Sequence, residues 1–517
     1  MDRHLADLVL RNASVLTLEK RRPSVRTVYV QHGRILRISG RDIEKSSTSK
    51  KARVIDCDGR AVLPGFHDAH CHIVGYAESL LNIDISPACV SSISDIAEKI
   101  RQAAQFIPPG KWIRLSGYNE FYLKEKRHPT RFDLDPATTL HPVRLTHRSG
   151  HAHVLNTAAL KATGISNETD EPEGGMIERD LATGEPDGIL YGMGAYLARI
   201  IPPPDEADLA VALGKAGKNL LALGVTSLQD ASPGNDLARW NQFLGWKRGG
   251  LFPPRIVMMF GAQGHESLQG KQPFYDKETG LGSGAIKIML DEVRGSLNPP
   301  QAELNELVLA LHRRGFQVAL HAVEPNTVYA ALNAIEFAQK SVPGRQNRHR
   351  LEHCSICTPE TAGRIARLGV MVVTNPAFIY YSGDRYLATV PLSQRKHLYA
   401  LNTMLEAGIR VAAGSDAPVS PPDPTRGIYA AITRRSETGR MVVKKETIGV
   451  EQAVRLYTSE AARSCFREKQ LGTIAPGKLA DMVVLNANPL EIPAEDLKHL
   501  RVEMTVLKGE IAYSEAI

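Results

Sequence analysis

Long apolar runs are absent from this sequence, and their absence sets the first limits on its function. No stretch approaches the roughly 18 consecutive apolar residues that a membrane-spanning helix requires, so no membrane span is expected. Residues 1–4 lead directly into a strand-like pattern, without the apolar core and small-residue cleavage site of a secretory leader. We therefore expect a cytoplasmic protein.

Cysteine and net charge are also scarce. Six cysteines in 517 residues are too few for a disulfide-stabilised scaffold and suit a reducing compartment. The formal net charge is only +7, from 63 basic and 56 acidic residues, and the basic residues are scattered rather than gathered into a stripe. No nucleic-acid partner is expected, because that function needs a concentrated basic surface.

What the sequence does contain is a regular alternation of short apolar runs with helical patterns. A chain of 517 residues exceeds the roughly 100 to 200 residues of one ordinary domain. The alternation predicts parallel strands joined by crossover helices, and eight strands close a (β/α)8 TIM-like barrel in the α/β class. The eight candidate runs are residues 62–66, 225–228, 256–260, 286–290, 318–320, 350–352, 370–374 and 411–414.

The ends of the chain follow a different pattern. Residues 1–60 and 460–517 contain short strands and turns, which predicts a small composite β-sandwich built from both termini. The barrel is expected over residues 61–459. Residues from about 80 to 220 are too many for an ordinary barrel connection, so we interpret them as an insertion after the first barrel strand that caps the barrel mouth. Local disorder is expected at most around residues 45–51.

Histidine and aspartate residues fall where these predicted strands end, the rim at which barrel enzymes carry their active sites. His70 and His72 follow the first strand, and alternation along an extended chain turns both imidazoles to one side. His321, His353 and Asp416 each follow a later strand. Singly, each is explained as well by a buried structural histidine or a helix-capping aspartate. Together they form the nitrogen and oxygen donor set that suits zinc or a similar divalent ion.

Lys287 lies inside the apolar segment 285–290, where an ammonium group is costly to desolvate. Burial lowers the pKa of a lysine, so its free amine could add carbon dioxide and become a carbamate able to bridge two cations. An ion pair with Asp291 or Glu292 explains the position equally well. At the level of the sequence both interpretations stay open.

Taken in order, these motifs resemble the amidohydrolase superfamily. The motifs are residues 64–72 (PGFHDAHCH), Lys287 on its strand, 320–321 (LH), 350–353 (RLEH), 414–418 (GSDAP) and 471–481 (LGTIAPGKLAD). Within the superfamily the chain is most similar to the branch that includes the N-substituted formamide deformylases. That similarity rests on Ser149-Gly150-His151, with Asn156 and residues 159–160, in the insertion.

The resemblance implies hydrolysis of a carbon–nitrogen bond, chiefly that of a small non-peptide amide such as an N-acyl or N-formyl amine. It implies one or two divalent ions, with zinc favoured. His70 and His72 would hold the more buried ion, His321 and His353 the more exposed one, and carbamylated Lys287 would lie between them. A homo-oligomer is expected, with a dimer favoured.

The mechanism that the resemblance implies assigns Asp416 a second role beside the metal. A metal-activated hydroxide would attack the amide carbonyl, and Asp416 would carry the proton to the leaving nitrogen. The resemblance also places His151 against the bound substrate, although an ordinary histidine of the insertion explains that residue equally well.

Glu324 departs from the pattern of this branch, which often carries a Gly-Asp pair shortly after the histidine of the fifth strand. The run here is His321-Ala322-Val323-Glu324, which resembles the deaminase and chlorohydrolase branches, where that glutamate handles the substrate proton. Glu324 could instead stabilise the N-terminus of the following helix. Deamination of an aminated heterocycle is therefore the alternative function. A metal-free scaffold homologue is less favoured, because all six metal positions hold competent residues.

Overall fold

Eight buried apolar segments pair side by side as one parallel sheet in the computed structural model. The structure describes residues 5–19, 25–41, 48–172, 174–267, 274–293 and 295–515. In chain order, and labelled β1 to β8, the strands of this sheet are Phe66–Cys71, Val225–Asp230, Arg255–Gly261, Leu281–Ile288, Val318–Ala322, Arg350–His353, Met371–Thr374 and Val411–Ala413. Each strand lies beside its neighbours in sequence, so the order across the sheet runs from β1 to β8.

The two outer strands, β1 and β8, meet near their carboxyl ends. The backbone N–H of Asp416 donates to the His70 carbonyl at 2.7 Å, and the N–H of His72 donates to the Ala417 carbonyl at 2.8 Å. Eight parallel strands that return to the first in this way, with helices between them, form a (β/α)8 barrel. The predicted α/β class and TIM-like barrel are confirmed.

The first barrel strand lies further along the chain than the sequence predicts. The prediction places it at residues 62–66, whereas β1 is Phe66–Cys71. The segment Ala61–Pro64 instead pairs antiparallel with Met482–Leu485 in another sheet. His70 consequently lies inside β1 rather than beyond the end of the strand.

Helices follow most of the barrel strands and cover the outside of the sheet, where they bury their apolar faces. In chain order the α-helices of the described residues are Ile73–Ser79, Ile93–Ala104, Arg131–Leu134, Thr157–Thr163, Gly194–Ile200, Glu206–Ala222, Leu237–Arg248, Gln301–Arg313, Pro325–Ser341, Pro359–Arg367, Ala377–Thr389, Leu392–Arg395, Leu401–Glu406, Pro424–Thr433, Val450–Leu456 and Ser459–Ser464. Among the residues described, none of these helices combines the length and apolar character needed to cross a membrane.

Two further sheets lie outside the barrel, and the five-stranded one combines strands from both ends of the chain. The four-stranded sheet has the order Arg34–Ser39, Thr27–Gln31, Ala6–Arg11 and Thr48–Asp56. The five-stranded sheet has the order Ser14–Val15, Ala61–Pro64, Met482–Leu485, Val502–Leu507 and Glu510–Ser514. Buried side chains of both sheets share one hydrophobic core, which includes Leu10, Val28, Val62, Met482 and Val506.

The segment expected to be locally disordered is only partly described. Residues 45–47 lie outside the described residues. From residue 48 onward the chain forms the strand Thr48–Asp56, which pairs in parallel with Ala6–Arg11. For this part of the segment the expectation is wrong, because a neighbouring strand satisfies its backbone hydrogen bonds.

The chain divides into two compact units. One comprises Met1–Ile73 with Ala216–Ile517, and the other is Val74–Lys215. The second unit contains a six-stranded sheet with the order Met176–Arg179, Pro186–Tyr191, Ala152–Leu155, Val143–His147, Ile113–Tyr118 and Ile83–Asp84. The helix Ile93–Ala104 packs its apolar side into the core of that unit.

Candidate metal centre

Three of the predicted ligands lie close together at the carboxyl-terminal rim of the barrel. His72 Nε2 is 3.0 Å from Asp416 Oδ1, and His70 Nε2 is 3.4 Å from the same oxygen. One donor atom from each of the three lies within 4.8 Å of the others. This spacing allows a single cation to contact all three side chains.

The remaining imidazoles extend this group. The ring of His353 is centred 4.8 Å from that of His70, and the ring of His321 is centred 4.6 Å from that of His353. His321 lies in β5, and His353 is the last residue of β6. The four histidines, distant in sequence, therefore form one continuous cluster with Asp416.

Lys287 is buried in β4, with 1% of its surface exposed. Its Nζ has no hydrogen-bond partner among the described residues. Burial lowers the pKa of Lys287, and the carboxylates of Glu352 and Asp416 offset that effect in part. The charge of Asp291 also raises the pKa of Lys287, although no hydrogen bond joins Asp291 to Nζ, so the ion-pair alternative stays a prediction.

Two residues that the sequence analysis did not select complete the interior of the site. Glu352 and Arg350 are both fully buried in β6. The Glu352 carboxylate makes a short hydrogen bond with His70 Nδ1 and accepts a bond of 3.0 Å from Arg350 Nη2. Burial raises the pKa of Glu352, but Arg350 and His70 outweigh it and hold the pKa well below its usual range.

The signal for these two residues was present in the sequence. Glu352 and Arg350 are charged residues within a predicted barrel strand, the same feature that singled out Lys287. A charge in such a strand needs a specific partner, because burial without one is costly. Their partners are contributed by other strands and are visible only in the fold.

Other neighbours orient the remaining ligands. His353 Nδ1 is 2.8 Å from Asn375 Oδ1, and His72 Nδ1 is 3.2 Å from Ser232 Oγ. Asp68 accepts hydrogen bonds from the backbone N–H groups of His70 at 3.1 Å and of Ser415 at 3.0 Å. The contacts of His353 and His72 restrict the rotation of these imidazoles, and Asp68 ties β1 to the segment that follows β8.

The backbone at the rim is strained at the ligand positions. His353 has a φ of 71° and Asp416 a φ of 58°, and Cys354, with a φ of 46°, follows the first of them. Non-glycine residues adopt this left-handed region at a cost of about 1 to 3 kcal/mol, and such residues concentrate at functional sites. The fold thus sustains an unfavourable backbone where two predicted ligands lie.

The two remaining site predictions lie elsewhere. His151 belongs to the smaller unit, where it is exposed just before the strand Ala152–Leu155. Its contact with substrate stays a prediction. Glu324 is exposed at the N-cap of the helix Pro325–Ser341, and its side chain makes no capping hydrogen bond there. This location agrees with the helix-stabilising alternative, because a carboxylate is favourable near a helix N-terminus.

The residues at the rim fit a divalent ion. His70 Nε2 and Lys287 Nζ are buried donor atoms without a hydrogen-bond partner among the described residues. Burial lowers the pKa of His70 to about 3, and burial holds the pKa of His321 well below its usual value. Both imidazoles are thus neutral near pH 7, the form that binds a metal.

The charge of Asp416 fits the same role. Burial raises the pKa of Asp416, but the hydrogen bond with His72 and the neighbouring imidazoles lower it by more, so the carboxylate is ionised. Neutral imidazole nitrogens with one carboxylate are a donor set that zinc accepts. Fold and site together define the class: a (β/α)8 barrel with a donor set suited to a divalent ion at its carboxyl-terminal rim.

Comparison with known proteins identifies the family. The chain matches the model of the amidohydrolase family over residues 53–513. It is 29% identical to an N-substituted formamide deformylase of Arthrobacter pascens, with 98% of each chain covered. It is 30% identical to the putative amidohydrolase YtcJ of Bacillus subtilis strain 168, with 95% of this chain and 96% of that protein covered. The chain belongs to the amidohydrolase family.

Solved structures support the same fold. An uncharacterised metal-dependent hydrolase from Pyrococcus furiosus superposes with a TM-score of 0.70 at 24% identity, over 94% of this chain and all of that one. A second uncharacterised metal-dependent hydrolase, from Pyrococcus horikoshii, gives a TM-score of 0.71 at 20% identity. The recognition of the superfamily from its motifs is confirmed, and this protein is a hydrolase of that family.

Proposed function

We propose that the protein hydrolyses a non-peptide carbon–nitrogen bond of a small amide, with N-formyl and N-acyl amines as the first substrates to test. The carrying observation is the convergence of His70, His72, His353 and Asp416 around buried donor atoms that lack partners among the described residues. The N-formyl class is supported by the similarity to an N-substituted formamide deformylase along nearly the whole chain.

The histidines and Asp416 would have different roles in the reaction. When bound, the ion would polarise the amide carbonyl and lower the pKa of water to about 7. His70 and His72 would hold the more buried ion at the rim, and His321 and His353 would hold the more exposed one. Asp416 is ionised and lies against His72 and His70, so it can accept a proton from the attacking water and return it to the leaving nitrogen.

Lys287 would complete the ligand set as a carbamate. Burial lowers the pKa of Lys287, which increases the fraction of uncharged amine at Nζ. The amine nitrogen attacks carbon dioxide, a nitrogen–carbon bond forms, and one N–H proton is released. The product carries a negative charge at a buried position, and two cations would balance that charge.

Substrate and metal content test the proposal directly. The purified protein is analysed for divalent metals and then assayed with N-formyl amines, N-acyl amines, cyclic amides and aminated heterocycles. Amine and ammonia are measured separately. We expect one or two zinc ions per chain and the release of an amine with a carboxylate. A protein without stoichiometric metal, or one that releases only ammonia, would contradict the proposal.

An Asp416→Asn variant supplies the matched control for this assay. The amide keeps the size of the carboxylate but accepts no proton, so kcat should fall by about 10²- to 10⁴-fold. Loss of all metal together with activity would instead show that Asp416 acts only as a ligand. The aminated heterocycles in the assay test the deaminase alternative. Glu324, the residue that suggested this alternative, is exposed at a helix N-cap.

A further inference from the structure

We propose that Glu352 is a positioning residue that makes His70 the strongest nitrogen ligand of the metal centre. The inference rests on the proposed metal site and is independent of the identity of the substrate. Glu352 does not belong to the ligand group itself. It lies behind His70, on the side of the imidazole opposite to Asp416.

The hydrogen bond to Glu352 decides which imidazole nitrogen faces the centre. Arg350 donates to both oxygens of the Glu352 carboxylate, so the carboxylate acts as the acceptor and His70 Nδ1 carries the hydrogen. The lone pair is then on Nε2, which is 3.4 Å from Asp416 Oδ1 and has no hydrogen-bond partner among the described residues. One contact therefore selects the tautomer and fixes the direction of the free lone pair.

The partners of the other imidazoles differ in charge. His353 Nδ1 faces the amide oxygen of Asn375, and His72 Nδ1 faces the hydroxyl of Ser232. Both of those partners are neutral, whereas Glu352 is a carboxylate. A carboxylate behind a metal-bound imidazole increases the basicity of the ligand nitrogen more than a neutral acceptor does. His321 Nε2 lies 3.9 Å from Asp291 Oδ1, which is beyond hydrogen-bond distance. His70, whose Nδ1 has a hydrogen-bonded carboxylate, is therefore the strongest donor of the group.

Arg350 keeps this carboxylate in place and charged. It donates to both oxygens of Glu352, at 2.5 Å from Nε and 3.0 Å from Nη2. Its remaining hydrogens reach the Gln229 side chain at 2.5 Å and the Ala69 carbonyl at 2.8 Å. Because Ala69 precedes His70 in β1, Arg350 also ties the strand that carries the ligand to the strand that carries Glu352.

A purely structural ion pair would have the same burial, so the test must separate metal affinity from stability. The test variant is Glu352→Gln, in which an amide keeps the size and can accept from His70 but has no charge. The dissociation constant for zinc is measured by competition with a chromogenic chelator, and the cobalt-substituted protein is examined by absorption spectroscopy. We expect zinc to bind about 10- to 100-fold more weakly and the cobalt ligand-field bands to change.

The matched control is another buried ion pair of the same chain. Asp481 accepts from Arg255 at 2.6 and 3.1 Å, and Arg255 is the first residue of β3, at the opposite end of the barrel strands. Asp481→Asn should destabilise the fold to a similar extent while zinc affinity and cobalt spectrum stay at wild-type values. If Glu352→Gln also keeps the wild-type affinity and spectrum, the inference is overturned.

A second variant covers the case in which Glu352→Gln does not fold. Glu352→Asp keeps the charge beside Arg350 but withdraws the carboxylate from His70 by one methylene group. It should fold and still bind zinc more weakly than the wild type. Wild-type affinity in this variant would overturn the inference, whereas a wild-type protein that binds no zinc would overturn the proposed function as well.

Discussion

Lys287 shows at the scale of one residue how the barrel interior departs from ordinary packing. Its amine is buried beside Glu352 and Asp416 and makes no hydrogen bond to the described residues. A buried polar group left unsatisfied costs about 1 to 3 kcal/mol. The fold bears this cost at a position where an amine can become a ligand.

Replacing Lys287 by methionine should separate function from stability. Lys287→Met keeps the length of the side chain and removes the unsatisfied amine, so the metal-free protein should be as stable as the wild type or more stable. Metal content and kcat should both fall. Elemental analysis, intact mass and urea unfolding measure these effects. A variant that keeps the wild-type metal content and full activity would disprove the bridging carbamate.

Most residues of the candidate site could be predicted from their type and their position in the sequence. His70, His72, His321, His353 and Asp416 lie at or near the carboxyl ends of strands whose apolar character is visible, and the structure brings them to one rim. Their role as metal ligands stays a prediction.

The interior contacts could not be predicted in the same way. Glu352 meets His70 across a sequence separation of 282 residues, and that pairing depends on the order of strands around the barrel. A pattern within one strand shows that a charge is buried but not which side chain will meet it.

At the scale of elements, Gly414 controls the closure of the barrel. It follows β8, and its N–H donates to the Thr374 carbonyl at 3.0 Å. A β-carbon at this position would lie 2.6 Å from both the backbone N and the Cβ of His70. Only glycine lets β8 approach β1 closely enough for Asp416 to reach the two histidines.

Gly414→Ala should therefore separate these strands. Overpacking a rigid core costs about 1 to 3 kcal/mol, and here the strain falls on a metal ligand, so both unfolding free energy and zinc affinity should decrease. Gly363→Ala is the control, because Gly363 lies in the helix Pro359–Arg367 with open space around its would-be side chain. The control should gain about 0.5 to 1 kcal/mol. Equal stability of the two variants would contradict this account.

A pair of buried histidines links the helix Gln301–Arg313 to the barrel. His349 Nδ1 accepts from the Val318 N–H at 3.1 Å, so its hydrogen is on Nε2, which lies 2.8 Å from His312 Nδ1. Burial, followed by the neighbouring charge of His312, lowers the pKa of His349 to about 3 from 6.5. Protonation in acid must break the bond from Val318.

The sign of the resulting pH dependence follows from this shift. Between about pH 6.5 and 3 the unfolded chain binds more protons at this site than the folded chain does. The contribution of His349 to the free energy of unfolding is therefore fully present above pH 6.5 and decreases as the pH is lowered. At about pH 4.5 the loss should be on the order of 3 kcal/mol. Urea unfolding of metal-free wild type and His349→Gln across this range measures it. Parallel curves for the two proteins would rule out His349 as the source.

The position of β1 marks the limit of prediction at the scale of elements. Residues 61–71 form one buried run that contains two strands, Ala61–Pro64 and Phe66–Cys71. Gly65 separates them, and a side chain there would lie 2.3 Å from Thr226 Oγ1. Apolar character predicts that both halves are buried. The sheet that each half joins is set by partners much later in the chain.

For the whole molecule, the barrel was predictable because its alternation of strands and helices repeats eight times along the sequence. The sheets outside the barrel are less regular, and the pairing of their strands depends in part on segments far apart in the chain. A metal at the rim would connect several barrel strands at once, because its proposed ligands come from β1, β4, β5, β6 and the segment after β8.

Removal of metal should consequently lower the stability of the molecule. A ligand present at 100 times its dissociation constant stabilises the folded state by about 2.7 kcal/mol, so dialysis against a chelator should lower the Tm. Zinc should restore the Tm, and magnesium, which prefers oxygen ligands, should not. Calorimetry of the three samples measures the effect. Identical transitions with and without chelator would exclude a stabilising metal.

The pairing of Ala61–Pro64 with Met482–Leu485 has a consequence for how the chain matures. Leu63 pairs with Val483, so the ribosome makes the first strand long before this partner exists. Throughout translation that edge of the strand presents unpaired backbone groups, a template for unwanted association between nascent chains. The nascent chain should therefore need chaperones until its last segment has left the ribosome. A chain truncated before residue 482 should accumulate in inclusion bodies.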